Sequence, residues 1–413
     1  VRFTGLWRNP DFVKFWSAET ISVFGTLMGP LQFTAVLALQ ASPLQVALLS
    51  ASGLAPGLLF GLLVGAWVDR LPRRPVLIVA DLGRMFLVGS VPAAFLLGAL
   101  RMEQLYLVNF LCGGLTTFFD VAHHAYVPSL VDREDLVEAN SKLAGGASVV
   151  EVVAFSAGGW ISQLLSAIVA AAIDAVTYLC SALLLLSINK QEPPVSVGDA
   201  APRAILSEIT DGVREVWHRP LLRSLAIAMF FSSLGDGVIG AAILLYGVDE
   251  LALAPGLLGT VFALGGISSA AGAVVTGRVT QKLGIGPAMV WGLLVYGLAC
   301  MLIPLAQGPA WLALSFLAAQ QLSGDGARAI AEINQVSFRQ AITPDSLLGR
   351  VNGSIRVLDI GFALVGTLLS GAIGQRFGLR AALFTGAGAA LSGGLWLALS
   401  PVRRVREVAS STE

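Results

Sequence analysis

Carboxylates and guanidinium groups inside long apolar runs are the residues of this chain best placed to do chemistry. Asp236 falls near the middle of one run, and Asp325, Arg328 and Glu332 recur at i, i+3 and i+7 in another, a spacing that puts them on one helical face. An ionisable group at the centre of a bilayer costs about 2.5–3.5 kcal/mol on insertion scales, so a retained one marks a pathway or a proton relay. Burial favours a protonated carboxylate and a neighbouring guanidinium favours the charged one, so moving an arginine to or from an acid couples proton uptake to conformation. Asp236 has no cation within a turn of its own helix and is expected to take a proton or a cationic substrate. Asp325 and Arg328 fit either such coupling or a static pair. Glu19, Glu151 and Asp359 are further candidates for proton or substrate, whereas Asp174, within IDAVTYLCSAL, reads closer to structural.

Asp120, His123 and His124 lie at i, i+3 and i+4 in FFDVAHHAYVPSL, a spacing able to hold a transition metal on one helix face. No second cluster supports them, so neither a metal nor any other cofactor is expected. Asp120 is expected to partner Arg84 or the arginines of a second polar feature, GAWVDRLPRRPVL (Gly65 to Leu77), and the histidines to titrate at the membrane edge. That stretch interrupts two apolar runs with one acid and three arginines, which places it at a membrane surface, on the cytoplasmic side.

The elements that must position these groups follow from composition. In 413 residues, 55% are hydrophobic and 13% charged, which excludes a soluble domain and implies an all-α polytopic membrane protein in contact with the lipid bilayer. Zero formal net charge gives no sign of a nucleic-acid partner. Cys112, Cys180 and Cys300 sit in apolar runs and read as small hydrophobes. The first long apolar segment reads as a span and not as a cleavable leader.

Hydropathy and chain breakers give twelve spans, at about 12–39, 44–68, 75–99, 104–127, 141–164, 166–188, 221–247, 256–280, 286–306, 310–338, 351–374 and 379–400. With both termini cytoplasmic, only Arg101, Arg376 and Arg380 of the 26 Lys and Arg fall outside, while Arg84 and Arg328 fall within spans. That asymmetry favours the N-in, C-in orientation. The expected division is a six-helix bundle over 1–188, a cytoplasmic linker over 189–220, a second six-helix bundle over 221–402 and a tail over 403–413. Within the linker Ile205, Ile209, Val213, Val216 and Trp217 recur at helical spacing, fitting an amphipathic helix on the inner membrane face or a soluble linker helix. Gly53, Gly57, Gly61 and Gly65 recur every four residues along the second span and read as a groove for a neighbouring helix.

The two halves repeat each other. Ser22 and Gly25 match Ser232 and Gly235, Gly65 matches Gly277 and Asn140 matches Asn352, at an offset of 210 to 212. Duplicated bundles of this kind place a substrate path near mid-membrane. No nucleophile elbow, HExxH or phosphate loop is present to favour an enzyme.

Several segments carry a more specific resemblance: LWRNPDFVKFW, ASPLQVALL, GAWVDRLPRRPVLIVADLGR, FFDVAHHAYVPSLVDREDLVEAN and IDAVTYLCSALLLL in the first half, PLLRSLAIAMFFSSLGD and LLGRVNG in the second. Together they resemble the drug and siderophore efflux branch of the major facilitator superfamily, which includes macrolide-efflux proteins and the enterobactin exporter. The resemblance implies twelve helices in two pseudo-symmetric six-helix bundles and a secondary active exporter of small amphipathic molecules, monomeric in the bacterial inner membrane, exchanging cargo for protons by alternating access. An importer or facilitator on the same fold is the alternative. The implied gating set is Gly65, Asp69, Arg70, Arg73 and Arg74, with Asp81, Arg84 and Asp120 and the start of the eleventh span. The implied cavity set is Asp236, Asp325, Arg328 and Glu332. Three positions depart from the family pattern: Pro72 replaces a glycine, Thr26 replaces a first-span acid, and AFSAGG (Ala154 to Gly159) replaces GPxxGG.

Overall fold

The structure is a computed structural model that describes residues 5–68, 70–190, 192 and 212–406. Among these the chain is helical, with no strand. The long helices are α1 (Pro10–Leu27), α2 (Pro43–Val68), α3 (Arg73–Leu96), α4 (Met102–Leu130), α5 (Leu136–Leu164), α6 (Ala167–Leu186), α7 (Pro220–Leu245), α8 (Pro255–Leu283), α9 (Ile285–Cys300), α11 (Asp345–Phe377) and α12 (Leu379–Leu399). Between α9 and α11, α10 consists of two pieces, Ala310–Gln320 and Gly326–Ile342, joined by a π-turn at Gln321–Asp325. Among the described residues eleven elements are long and apolar enough to cross a membrane. The interrupted α10 completes the twelve, because neither of its pieces is long enough alone.

Helix ends follow local chemistry. The Asn9 side chain accepts from the amides of Asp11 and Phe12 at 3.1 and 3.2 Å, with Pro10 opening α1. Gly29, at φ 64°, stops α1 in a left-handed conformation that a Cβ would penalise; Pro30 then starts a short helix, Pro30–Phe33, which runs into a π-turn at Thr34–Ala38. The first span is therefore broken where a continuous helix is expected.

The chain forms two compact units. One holds α1, α3 to α6, most of α2 and the first turns of α8, Pro255–Ala263; the other holds α7, α9 to α12, most of α8 and the first turns of α2, Ser42–Ala51. In the first, α1 packs on α5 and α6, and α3 on α4 and α6; in the second, α7 packs on α11 and α12, and α9 on α10 and α12. Lipid tails are as apolar as leucine, so such helices are held by close packing and hydrogen bonds more than by exclusion from water. The repeat is visible in these contacts. In the first unit, a Cβ on Gly159 would strike the backbone of Pro255 and Gly259. In the second, Gly371 sits against Leu44 and Ala47, and Gly374 against Pro43. Pro43 and Pro255, Ala47 and Gly259, and Gly159 and Gly371 are each 212 residues apart.

Two expectations change. Of the second-span glycines, Gly53 is packed, against Asn109 and the backbone neighbour Gly113 on α4, but Gly61 and Gly65 have no described atom within 4 Å of a Cβ position. The four-residue spacing thus gives close packing at Gly53 and none at these two. The linker helix is described over residues 212–218, with Ile205 and Ile209 outside the described residues. Val216 is buried with Leu222, Val351 and Ile355, and Gly212 meets Arg350 and Ser354 on α11, so at Val216 this apolar face is covered by protein, whereas Trp217 stays exposed.

Candidate functional site

In the second unit, α7, α9, α10 and α11 surround a cavity of about 360 Å³. Arg328 of α10 is its centre. Its Nη2 lies 2.8 Å from Asp236 Oδ2 on α7, its Nε donates to Glu332 Oε1 at 2.6 Å, and its Nη1 donates to the Tyr296 hydroxyl on α9 at 3.1 Å. The Tyr296 hydroxyl in turn donates to Asp236 Oδ1. One guanidinium therefore binds two carboxylates and a phenol from three helices, a charge-assisted network of high stakes in a low dielectric. On the adjoining wall Ser233 donates to Asp359 Oδ1, and Arg339 Nε donates to Asn352 Oδ1 at 2.9 Å. Arg356 also lines the cavity, making three acids (Asp236, Glu332, Asp359) and three arginines (Arg328, Arg339, Arg356) around one space.

Helical geometry explains this convergence. Arg328 and Glu332 are one turn apart on α10 and share a face. Asp325 does not join them: it ends the π-turn, and its carboxylate lies against Gly265 on α8, beside Gln321. An i, i+3 pair on a helix is offset by about 60° around the axis, and here the Asp325 side chain points to α8 while Arg328 points to α7 and α9. The triplet expected on one face is therefore a pair, with Asp236 arriving from α7.

The first unit carries a second charged pair, sealed from solvent. Arg84 Nη2 lies 2.5 Å from Asp81 Oδ1, with side chains 3% and 0% exposed. Ser181 Oγ donates to Asp81 Oδ2 at 2.6 Å and Ser22 Oγ to Oδ1 at 3.4 Å. The Arg84 guanidinium lies 4.5 Å from the Phe119 ring centre and 4.6 Å from that of Tyr178. Asp81 thus takes the ion-pairing position for which Asp120 was expected: at i, i+3 on one helix, it needs no reach across to α4. Asp174, also buried, lies against Gly25 and accepts from Thr177 Oγ1 at 3.4 Å, and Thr26 shares a hydrogen bond of 2.8 Å with Tyr178.

Glu19 and His123 meet at 3.1 Å without the alignment of a hydrogen bond, and the imidazole is stacked at 19° to both Phe15 and Phe119. Among the described residues no group of three His, Cys, Asp or Glu is arranged to hold a metal. Glu151 is half-buried on α5 and belongs to neither cluster.

Of the implied gate, Asp69 lies outside the described residues. Arg70 follows the end of α2, and Gly65 precedes it in open space. Arg73 and Arg74 open α3, where their amides donate to the two carboxylate oxygens of Glu192 at 2.7 and 2.6 Å. A carboxylate is the favoured partner for the positive end of a helix dipole. Arg74 also donates through Nε to Leu185 O at 2.8 Å and through Nη2 to Leu186 O at 2.6 Å, capping α6. The second unit repeats this with backbone alone. At the start of α9 the amides of Ile285 and Gly286 donate to Arg406 O and Val405 O at 3.2 and 2.9 Å.

Tyr296, Ser233, Arg339, Asn352 and Arg356 have no place in the sequence reading of the cavity. A signal for Tyr296 was present, since it stands 212 residues after Arg84.

Comparison with known proteins extends the geometry. The profile described as Major Facilitator Superfamily matches residues 18–357 and 225–413. The multidrug efflux pump Tap of Mycolicibacterium fortuitum is 29% identical over 198 residues, covering 46% of this chain and 48% of the pump. An uncharacterized MFS-type transporter of Mycobacterium bovis is 33% identical over 153 residues, 34% of each chain. This chain thus spans about half the length of the first relative and a third of the second. Among solved structures, the nucleoside transporter NupG superposes with a TM-score of 0.77 at 12% identity, over 95% of this chain and 98% of its own. A bacterial homologue of the iron transporter ferroportin, in an inward-facing state, gives 0.76 at 18% identity, over 96% and 99%. At these identities the likeness is one of fold.

Proposed function

Because this chain belongs to the Major Facilitator Superfamily, and is a multi-pass membrane transporter rather than an enzyme, we propose that it is a secondary active exporter that trades protons for small amphipathic molecules by alternating access. The observation that carries this reading is the Arg328 network, in which Asp236 and Glu332 share one guanidinium at the wall of a cavity. A proton on either acid loosens its hold on Arg328, and a cargo with a polar or charged group can take the vacated partner. Protonation and cargo binding then compete for the same charges, which is the thermodynamic requirement of antiport. Three acids and three arginines on the cavity wall fit a cargo with a polar head beside its apolar body. The likeness to a multidrug efflux pump supports export and a drug class of cargo.

The distribution of Lys and Arg supports an orientation in the bacterial inner membrane with both termini cytoplasmic. In this reading the turn between α2 and α3 gates the pathway, with Asp69, Arg70, Arg73 and Arg74 at the cytoplasmic surface.

Energised everted vesicles test the proposal. Cargo found by thermal-shift screening of macrolides, tetracyclines and siderophores is added to vesicles with an acid interior. Antiport releases interior protons on cargo addition, and Asp236→Asn abolishes the release while the protein is still made. Cargo movement without proton release would make the protein a facilitator; an unchanged response in Asp236→Asn would remove Asp236 from coupling.

A further inference from the structure

A second cavity, of about 470 Å³, opens where α7 begins and α12 ends. Its wall includes Trp217 of the short helix over 212–218, Arg223 and Ile227 of α7, and Trp396, Leu399 and Pro401 at the end of α12. Trp396 is pinned by its indole N–H, which donates to Ser224 O at 3.2 Å. Trp217 is 59% and Leu399 79% exposed, so the apolar wall faces outward and not into the bundle. Tryptophans at the ends of spanning helices mark the membrane–water boundary, where an indole sits at headgroup level.

Among the described residues the exposed charge at this end is mostly positive. Arg214, Arg223, Arg403 and Arg404 are all exposed at this end. Among the described residues of these segments the acid is Glu215, which is paired with Arg219. The Arg223 guanidinium has no hydrogen-bond or ion-pair partner among the described residues. An unpaired guanidinium above an apolar, aromatic-walled recess at a helix end is complementary to one kind of molecule: an anionic phosphate carried on hydrocarbon.

We infer that this recess binds an anionic phospholipid, its phosphate on Arg223 and its acyl chains along Ile227, Trp396 and Leu399. Basic pockets between membrane helices hold such headgroups, and each Lys or Arg near an anionic surface contributes on the order of 1 kcal/mol, about fivefold in occupancy. Arg403 and Arg404 add a diffuse positive field; Arg223 is the group that contacts the phosphate. The site is separate from the Arg328 cavity and does not depend on what the protein transports.

Native mass spectrometry of the full chain in a neutral detergent tests this, with phosphatidylglycerol, phosphatidylcholine and inorganic phosphate as probes. Phosphatidylglycerol is expected to be retained about fivefold more than phosphatidylcholine, and Arg223→Gln to bring the two level. Arg223→Lys keeps the charge and most of the preference, and Trp217→Leu weakens both lipids alike. Equal retention of the two lipids by the wild type, or an undiminished preference in Arg223→Gln, overturns the proposal. Displacement of phosphatidylglycerol by inorganic phosphate alone also overturns it, since the site would then be one for a free anion. Should Arg223→Gln not yield folded protein, loss of preference in Arg223→Lys counts against the charge contact.

Discussion

Arg84 and Arg328 make the same repeat-related contact from opposite partners. Arg84 Nη1 lies 3.5 Å from Thr116 Oγ1. Arg328, 212 residues after Thr116, donates to the hydroxyl of Tyr296, 212 residues after Arg84. Each unit keeps one arginine at this crossing of its third and fourth helices, on α3 in the first and on α10 in the second. The acids have moved with them: Asp81 pairs along α3, whereas Asp236 approaches from α7, at the position held by Thr26 in the first half. One copy is closed around its charge and the other presents it to a cavity.

In the second unit, Arg328→Gln leaves Asp236 and Glu332 facing one another without a guanidinium, and is expected to be the most destabilising single change at the cavity. Asp236→Asn combined with Arg328→Gln should cost less than the sum of the two, with a coupling of about 1–3 kcal/mol. Thermal melting of the four purified proteins measures it. Additive losses would show that the contact contributes nothing.

For the sealed pair of the first unit a larger penalty is expected. Arg84→Leu or Asp81→Leu strands a buried charge and should lower stability by about 3–5 kcal/mol, seen as lost monodisperse protein on size exclusion. Replacing both with leucine removes the stranded charge and should recover much of the yield. Single variants that behave like the wild type would mean that water reaches the pair.

Serine provides a finer contrast. Ser22 and Ser181 both donate to Asp81. Their repeat counterparts are Ser232 and Gly393, and the counterpart of Asp81 is Leu293, so Ser232 Oγ is buried without a hydrogen-bond partner. Ser181→Ala should therefore cost about 1–2 kcal/mol, whereas Ser232→Ala should be neutral or slightly stabilising. Melting temperatures compared side by side decide it, and equal losses at the two sites would contradict the geometry.

The hydrophobic runs made twelve helices legible because a bilayer-spanning helix must be long and apolar, and little else in a sequence looks like that. What hid was anything set by backbone register. The π-turn at Gln321–Asp325 has no hydrophobic signature, and the i, i+3 spacing of Asp325 and Arg328 does not say that Asp325 faces Gly265. Gly29 and Pro30 spell out the break after α1 more plainly, in residues that favour a stop. Val216 shows a different limit: helical spacing identifies an apolar face but does not say whether lipid or α11 covers it. The Asp81–Arg84 spacing was readable as a same-helix pair, while Tyr296 required carrying the 212-residue offset to a position where the residue types differ.

The caps on α3 and α9 have a consequence for how the chain could be divided. The carboxylate that closes α3 belongs to Glu192, just beyond α6, and the carbonyls that close α9 belong to Val405 and Arg406, just beyond α12. Each half thus ends in its own stopper. A cut anywhere in residues 193–211 would leave both stoppers seated, so the protein is built to survive as two polypeptides, whereas a cut ahead of Glu192 would uncork α3.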